Sequence, residues 1–398
     1  MKQINRVINL FWCSIWNRNR HFFKINLSRI VRSRGKERIV LLVSILGDFH
    51  SSIVPVSFEF KEKISTHIIV YDDAHGDTAE AKRIIKGQEA FLDAYPMVRY
   101  TLKPIRIDED SYPSLLGCVE KIKQEADDYR EIYLNATDGL SSVALVLATQ
   151  LMAVGAKVIA YDRYANTYNL HTTDGMHKHT IRHSMDIRTH LLMKGYTILY
   201  EPDRAVLQHR KESIFALMED MPRYKQFADA VGKRGYGGVQ GFADYKAYLE
   251  SIGDTSQQFI QGTVFEEYIY HLLLDYCDFD DVRTGMKVMF DEGVENEFDI
   301  LMIKENHLHT IECKFVNNLN GEHYVYKTER IKEYLDDDGR AMILSIGADN
   351  VTYSRNGRKK VQFSKGSKAR ARFGEVQVHQ RKVFDKKAFL DDVRAWFG

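Results

Sequence analysis

The sequence has few cysteines, no long apolar run and almost no net charge. Four cysteines, Cys13, Cys118, Cys277 and Cys313, are scattered through 398 residues with no CxxC pair among them. A disulfide framework and a thiolate zinc site are therefore excluded, and the sparse thiols fit a reducing, cytoplasmic setting. The longest apolar run, Ile39 to Leu46, falls well short of the ~20 residues that a membrane span requires. Lys+Arg 56 against Asp+Glu 55 leaves a formal charge of +1, so bulk charge names no partner and only its distribution informs. Low-complexity tracts and internal repeats are also missing, which rules out disordered, collagen-like and coiled-coil readings of the whole chain. What is left is an ordinary globular composition, 44% hydrophobic and 28% charged. Its length suits two to three domains of roughly 150 residues each.

Residues 1–37 differ from the rest. Ile4, Val7, Ile8, Phe11, Trp12, Ile15 and Trp16 recur on one helical face, and a run of Arg and Lys from Arg18 to Arg38 follows, broken by the single acid Glu37. The pattern suits either an interfacial helix on an anionic membrane or a loosely packed basic extension, and we read the latter. The apolar positions are periodic rather than continuous and no small-residue cleavage site follows, so this is not a signal peptide.

From residue 38 a βα alternation predicts strands at Ile39–Ser44, His67–Tyr71, Tyr100–Ile107, Glu131–Thr137 and Lys157–Tyr161, separated by helices, with Tyr168–Thr172 pairing onto the last. Such alternation predicts a mostly parallel sheet covered on both faces, which binds ligands at the carboxyl ends of its strands. Residues 38–184 form this first domain. Residues 185–255 read as a helical connector with a glycine cluster, Gly232 to Gly241. Residues 256–398 read as a second compact unit: a helix at Thr263–Asp275, four strands, a basic tail and a closing helix at Lys387–Phe397.

The most informative segment runs from Glu297 to Lys314. Two alternating runs flank the polar turn Lys304–His307, predicting a β-hairpin. A turn centred between Glu305 and Asn306 makes Ile303 face Leu308 and puts Asp299 opposite Glu312, with Lys314 emerging on the same face. Phe298, Ile300, Ile311, Cys313 and Phe315 then take the other, apolar face. Like charges directly opposite are destabilising unless neutralised. A divalent cation, Mg²⁺ or Mn²⁺, neutralises them, polarises a phosphoryl oxygen and acidifies water, while a neighbouring lysine stabilises charge on the phosphorane. That is phosphodiester hydrolysis. In the preceding helix, Phe265, Ile269, Leu272 and Leu273 form a core stripe, and Glu266 lies beside it, within reach of a cation directly or through water. His271 and His309 are read as structural.

The order of Gly262-x-x-Phe-Glu266, Asn296-Glu-Phe-Asp299 and Ile311-Glu312-Cys-Lys314 resembles the PD-(D/E)XK nuclease superfamily, with the first motif reduced and lacking its proline. The resemblance implies Asp299 and Glu312 as metal ligands, joined by the carbonyl of Cys313. It implies Lys314 as the catalytic lysine, with Glu266 assisting.

Two strand exits in the first domain have the composition of an anion site: Ser44-Ile-Leu-Gly47-Asp48, and Asn135-Ala-Thr137-Asp138-Gly139-Leu-Ser141 ahead of an apolar helix. Paired with the nuclease half, this turn is similar to that of the CRISPR-associated Rossmann-fold (CARF) domain, where it contacts cyclic oligoadenylate. The resemblance covers about residues 38–398. It implies an α/β protein with an N-terminal Rossmann-like CARF parallel-sheet domain and a C-terminal restriction-endonuclease-like α/β domain. It further implies a homodimer closing over one cyclic oligoadenylate, most simply cyclic tetra-adenylate, as allosteric activator. Ser44, Gly47, Asp48, Asn135, Thr137, Asp138, Gly139 and Ser141 are the activator-site candidates; Asp138 departs from the family pattern, an acid being unfavourable beside phosphate.

Arg355, Arg358, Lys359 and Lys360 begin a basic stretch extending to Arg372, with Tyr353, Phe363 and Phe373 interleaved. Beside a phosphodiesterase this is a track for nucleic-acid phosphates, with rings to stack bases of single-stranded DNA or RNA. The expectation is an activated, metal-dependent nuclease of type III CRISPR antiviral defence. The competing readings are a ligand-independent restriction or repair nuclease, and a non-enzymatic CARF sensor that regulates transcription.

Overall fold

A strand whose seven residues are all buried, β1 (Val40–Leu46), organises the first half of the chain. Its unbroken apolar run follows from a central place in a sheet covered on both faces. The computed structural model describes residues 40–47, 52–72, 78–139, 141–291, 293–316, 320–336, 339–346, 350–353, 359–380 and 384–398. The basic amphipathic extension, Asp48, Arg355 and Arg358 lie outside these residues.

After β1 come α1 (Ile53–Phe60), β2 (Ile64–Asp72), α2 (Thr78–Ala94), β3 (Thr101–Ile107), α3 (Tyr112–Ala126), β4 (Glu131–Asn135), α4 (Ser141–Met152) and β5 (Lys157–Asp162). Two further strands, β6 (Thr167–Thr172) and β7 (Gly175–Thr180), complete a seven-stranded sheet of order β3-β2-β1-β4-β5-β6-β7. The first five strands pair in parallel and the last two antiparallel. On one face Leu41, Val43 and Ile45 pack with Leu115, Val119, Val143 and Leu147 of α3 and α4. On the other, Val40 and Leu42 pack with Phe60, Tyr133 and Tyr168. Strand order reverses between β1 and β4, so their carboxyl ends flank the crevice where sheets of this topology hold ligands.

The stretch read as a connector is built into the second half. It contains α5 (Ile187–Met193), β8 (Thr197–Tyr200), α6 (Arg204–Met218), α7 (Met221–Arg234) and α8 (Ala243–Ile252). Then follow α9 (Val264–Tyr276), β9 (Asp281–Asp291), β10 (Val294–Lys304), β11 (His307–Lys314), α10 (Gly321–Leu335), β12 (Ala341–Ser345), a two-stranded ribbon of β13 (Asn350–Tyr353) and β14 (Lys359–Gln362), α11 (Lys365–Phe373), β15 (Val376–Gln380) and α12 (Lys386–Phe397). The second sheet has the order β15-β12-β11-β10-β9-β8, so β8 from the connector is its edge strand. The chain is an α/β protein with two mixed sheets. Among the described residues no helix is long and apolar enough to cross a membrane.

One face of the second sheet (Ile300, Met302, Ile311, Cys313, Met342, Leu344) is covered by α6, α7, α8, α9 and α12 through Ile214, Phe227, Leu249, Phe265 and Phe389. The other face joins the two halves: Met286, Val288, Leu301, Ile303 and Leu308 share one apolar cluster with Val54 and Phe91 of the first half and with Ile187 and Leu191 of α5. The β10–β11 turn is pinned there. Asn306 is buried at φ 67°, the left-handed region that asparagine tolerates. Its Oδ1 accepts from Met185 N at 2.9 Å and its Nδ2 donates to His183 O at 3.1 Å. A ring nitrogen of His307 lies 2.6 Å from Arg163 O. Beside them, burial opposes ionisation of Asp336, but Lys194, His190 and His307 around it hold its carboxyl well below the usual range.

Candidate active site

The hairpin β10–β11 positions the charged groups. Glu305 and Asn306 both have positive φ, 52° and 67°, which gives a tight two-residue turn. The register is the one alternation predicts, Ile303 facing Leu308 and Ile300 facing Ile311. Asp299 comes one residue before this paired stretch, and there the strand departs from regular alternation. Phe298 packs with Leu301, Ile303 and Leu308, not with Ile300, Ile311, Cys313 and Phe315 as regular alternation requires. The cause lies opposite: pairing with β9 runs through Phe298↔Met286 and Ile300↔Thr284 but skips Asp299 and Gly285, and Gly285 sits at φ 61°. This local kink turns Phe298 to the far face.

Lys314 Nζ lies at the centre of the result. It is 3.0 Å from Asp299 Oδ2, 2.8 Å from Glu312 Oε1 and 3.0 Å from the carbonyl oxygen of Cys313. The backbone N–H of Cys313 also donates to Asp299 Oδ2, at 2.7 Å. Three oxygens thus cradle one cationic nitrogen, and they are the three oxygens the sequence names for a metal. Burial and then the Glu312 charge push the Asp299 carboxyl up to about 6, against the pull of Lys314. Glu266, in the first turn of α9, is pushed up to about 8 by burial first and then by Asp299, with Glu297 and Glu312 adding to the repulsion. Burial alone would lower the Lys314 ammonium, but Asp299 and Glu312 outweigh it and hold the group protonated.

The arrangement is short of positive charge. Among the described residues no three His, Cys, Asp or Glu side chains converge as a metal site. The donor set here is instead two carboxylates and a main-chain carbonyl. All-oxygen sets of this kind suit Mg²⁺ or Mn²⁺, which take one or two carboxylates and complete their shell with water and phosphate. The residues therefore fit a divalent cation at the point the lysine ammonium occupies.

Two contributors were not legible in the sequence. Lys327 of α10 places its ammonium 3.3 Å from Glu312 Oε1, and the ring of Tyr324 lies 5.3 Å from Lys314 Nζ. Their only sequence signal is the start of α10, where Asn320 caps the helix by accepting from His323 N at 3.2 Å. His271 and His309 are interior groups, and burial pushes their pKa values down to about 4 and about 3.

In the first half, the exits of β1 and β4 touch. A Cβ on Gly47 would meet Asp138 O at 1.7 Å, and one on Gly139 would meet Ile45 Cγ2 at 2.9 Å, so only glycine allows this approach. Three activator-site candidates have hydrogen-bond partners inside the fold. Ser44 is fully buried, its hydroxyl 2.9 Å from His67 Nε2. Asn135 is fully buried as well, its Nδ2 donating to Ser52 Oγ at 3.0 Å while its Oδ1 accepts from Thr137 Oγ1 at 2.8 Å. Asp138 accepts from the N–H of Ser52 at 2.8 Å and from the Ser52 hydroxyl, at the start of α1. Asn135 and Asp138 tie the crevice walls together through Ser52, while Ser44 bonds β1 to β2. The charge of Asp138 is thereby spent on a helix start. Thr137, which also accepts from Tyr161 N at 2.8 Å, stays partly exposed beside the two glycines, and Ser141 opens α4.

Of the basic tail, Lys359 and Lys360 lie on β14, paired with Tyr353 and Thr352. Phe363 is 1% exposed and packs with Val325, Ile343 and Ala371, so it is a core residue and not a base-stacking one.

No curated protein matches the chain. Among solved structures, Can2 from Sulfobacillus thermosulfidooxidans, determined in complex with cyclic tetra-adenylate, superposes with a TM-score of 0.63 at 14% identity, over 90% of this chain and 97% of that one. Protein VC1899 from Vibrio cholerae superposes with a TM-score of 0.66 at 15% identity, over 90% and 98%. At these identities the likeness shows a shared fold. The sequence of residues 253–366 matches the family described as Card1-like, endonuclease domain, a span that includes Glu266, Asp299, Glu312, Cys313, Lys314 and Lys327. The chain thus carries a Card1-like endonuclease domain in its second half.

Proposed function

We propose that this protein is a cyclic-oligoadenylate-activated, metal-dependent nuclease of the PD-(D/E)XK type that cleaves single-stranded DNA or RNA in type III CRISPR defence, acting as a cytoplasmic homodimer. The observation that carries the reading is the cradle of Asp299, Glu312 and the Cys313 carbonyl around a single cation, within a Card1-like endonuclease domain.

Asp299, Glu312 and the Cys313 carbonyl would hold Mn²⁺ or Mg²⁺, which supplies positive charge at the phosphoryl oxygen and acidifies water. Lys314, released from the cradle, donates hydrogen bonds to the charge that builds on the phosphorane. Glu266, held near neutrality, exchanges a proton with water close to working pH, as a general acid–base group must. Water oxygen forms the new P–O bond as Glu266 takes its proton, the P–O bond to the leaving nucleotide breaks, and the leaving oxygen takes up a proton from solvent while Glu266 returns its own. Lys327 pulls Glu312 toward α10 and fixes its carboxylate.

The crevice between β1 and β4 is the activator site in this reading, with Gly47, Thr137 and Gly139 presenting main chain and hydroxyl to the ligand. Can2, which shares the fold, was solved with cyclic tetra-adenylate bound. Two copies closing over a two-fold symmetric ring would change the relation between nuclease halves, provided the ring binds the closed arrangement more tightly. The test is cleavage of labelled single-stranded DNA and RNA with Mn²⁺, with and without cyclic tetra-adenylate. The wild type cuts only with the ring present, and Lys314→Ala does not cut. Equal cutting without the ring makes the protein a ligand-independent nuclease; no cutting under any condition makes it a sensor alone.

A further inference from the structure

Next to the cradle, α10 and α11 expose an aromatic–cation–aromatic stack that the catalytic chemistry does not use. Phe373, at the end of α11, is 79% exposed and is the only exposed phenylalanine among the described residues. Tyr326, on α10, is 51% exposed. The guanidinium of Arg370 lies between them, 4.4 Å from the Tyr326 ring centre and 5.3 Å from that of Phe373. An ion pair to Glu329 of α10 holds it in place. Tyr326 directly precedes Lys327, whose ammonium touches Glu312, so the stack and the cradle share one helix.

The helix that carries Phe373 is basic throughout, and the acids beside it, Glu322 and Glu329, belong to α10. Lys365–Phe373 carries Lys365, Lys368, Arg370 and Arg372 with no acid, and Lys365, Lys368 and Arg372 are exposed. The first turn of α11 lies against α10: a Cβ on Gly366 would come within 2.9 Å of Glu322 Oε1. The basic row is therefore fixed beside the helix that borders the active site. Exposed rings that flank a planar cation and stand next to unpaired lysines match what binds unpaired bases joined by phosphates. A duplex offers phosphates but keeps its base faces stacked on one another.

We propose that Tyr326, Arg370 and Phe373 form a base-stacking platform, with Lys365, Lys368 and Arg372 as its phosphate contacts, that holds single-stranded nucleic acid for delivery to the cradle. The proposal deepens the nuclease reading and rests on it for the direction of delivery. The stack selects single strands over duplex because bases must be free to lie on the rings. It adds little sequence preference, since every base has a face.

The test is fluorescence anisotropy without divalent metal, using a labelled oligothymidylate and an abasic strand of equal length. Phe373→Ala and Tyr326→Ala should each weaken oligothymidylate binding about tenfold, leave the salt slope intact and leave abasic-strand binding unchanged. Phe373→Trp should bind at least as tightly as wild type, which separates stacking from loss of folding. The pair Lys365→Gln and Lys368→Gln should weaken both strands alike and flatten the salt slope by about 1.4. Ring variants that bind oligothymidylate as wild type does, or that lose both strands equally, overturn the platform. A wild type that shows this base-dependent binding yet cuts nothing with Mn²⁺ and cyclic tetra-adenylate overturns the nuclease reading and leaves the platform standing.

Discussion

Replacing Lys314 by Met removes the cation that holds two buried carboxylates together, and its cost follows from the geometry. The ammonium contacts Asp299, Glu312 and the Cys313 carbonyl, all within 3.0 Å. Breaking a buried charge cluster by deleting one partner costs about 3–5 kcal/mol. The lower end applies here, because Lys327 remains beside Glu312 and the Cys313 N–H still donates to Asp299. A loss of about 3 kcal/mol lowers the melting temperature of a domain this size by roughly 6–12 °C. The loss depends on pH with a definite sign. Asp299 titrates at about 6 in the fold against 3.8 as a free group, and Glu266 at about 8 against 4.5. An acid with a raised folded pKa binds its proton more tightly when folded, so its contribution is complete below the unfolded value and is lost as pH rises through the folded one. Stability of the metal-free wild type therefore falls between about pH 4 and pH 8 on account of these two groups. In Lys314→Met the fall is steeper, since only Lys327, on the Glu312 side, then opposes ionisation at the cradle. Mn²⁺ at a hundredfold excess over its Kd returns about 2.7 kcal/mol. Differential scanning calorimetry at pH 5 and pH 8, with and without Mn²⁺, reads all of this. A variant as stable as wild type at pH 8, or one that Mn²⁺ leaves unchanged, refutes the reasoning.

Three further outcomes follow from other parts of the molecule. Asn306→Ala removes the acceptor for Met185 N and the donor to His183 O, and should destabilise the fold by about 2–3 kcal/mol in urea unfolding; Asn306→Gly, which keeps the positive φ, should lose nearly as much. Gly47→Ala drives a methyl group into Asp138 O, so the two strand exits must separate, and calorimetric titration should show cyclic tetra-adenylate binding weakened at least tenfold. Ser52→Ala removes the hydroxyl that Asp138 and Asn135 share and should cost about 1 kcal/mol, read as a lower melting temperature.

The β10–β11 hairpin was legible because its side-chain period and turn chemistry agree: alternation over Glu297–Ile303 and Leu308–Phe315 around a polar turn leaves one register. The kink at Asp299 was not, because its cause, Gly285, sits on the neighbouring strand, and a single strand's alternation carries no record of its partner's glycine. β7 escaped notice since Gly-Met-His-Lys-His-Thr has no apolar alternation; it is a polar edge strand held by pairing alone. α10 was missed for a related reason, its buried face being partly polar, with Thr328, Glu329 and Lys332 beside Val325 and Leu335. Ser44 and Asn135 show a different limit. A small polar residue at a strand end looks the same whether it faces a ligand or, as here, a histidine or serine inside the fold. Phe363 and Phe373 make the same point for rings, one in the core and the other in solvent.

The most direct test of the oxygen cradle is Mn²⁺ titration followed by electron paramagnetic resonance. One tight site is expected in the wild type, lost in Glu312→Gln and in Asp299→Asn, and strengthened in Lys314→Met, where the Lys314 ammonium no longer competes for the same oxygens. Equal Mn²⁺ binding by all four proteins would contradict this.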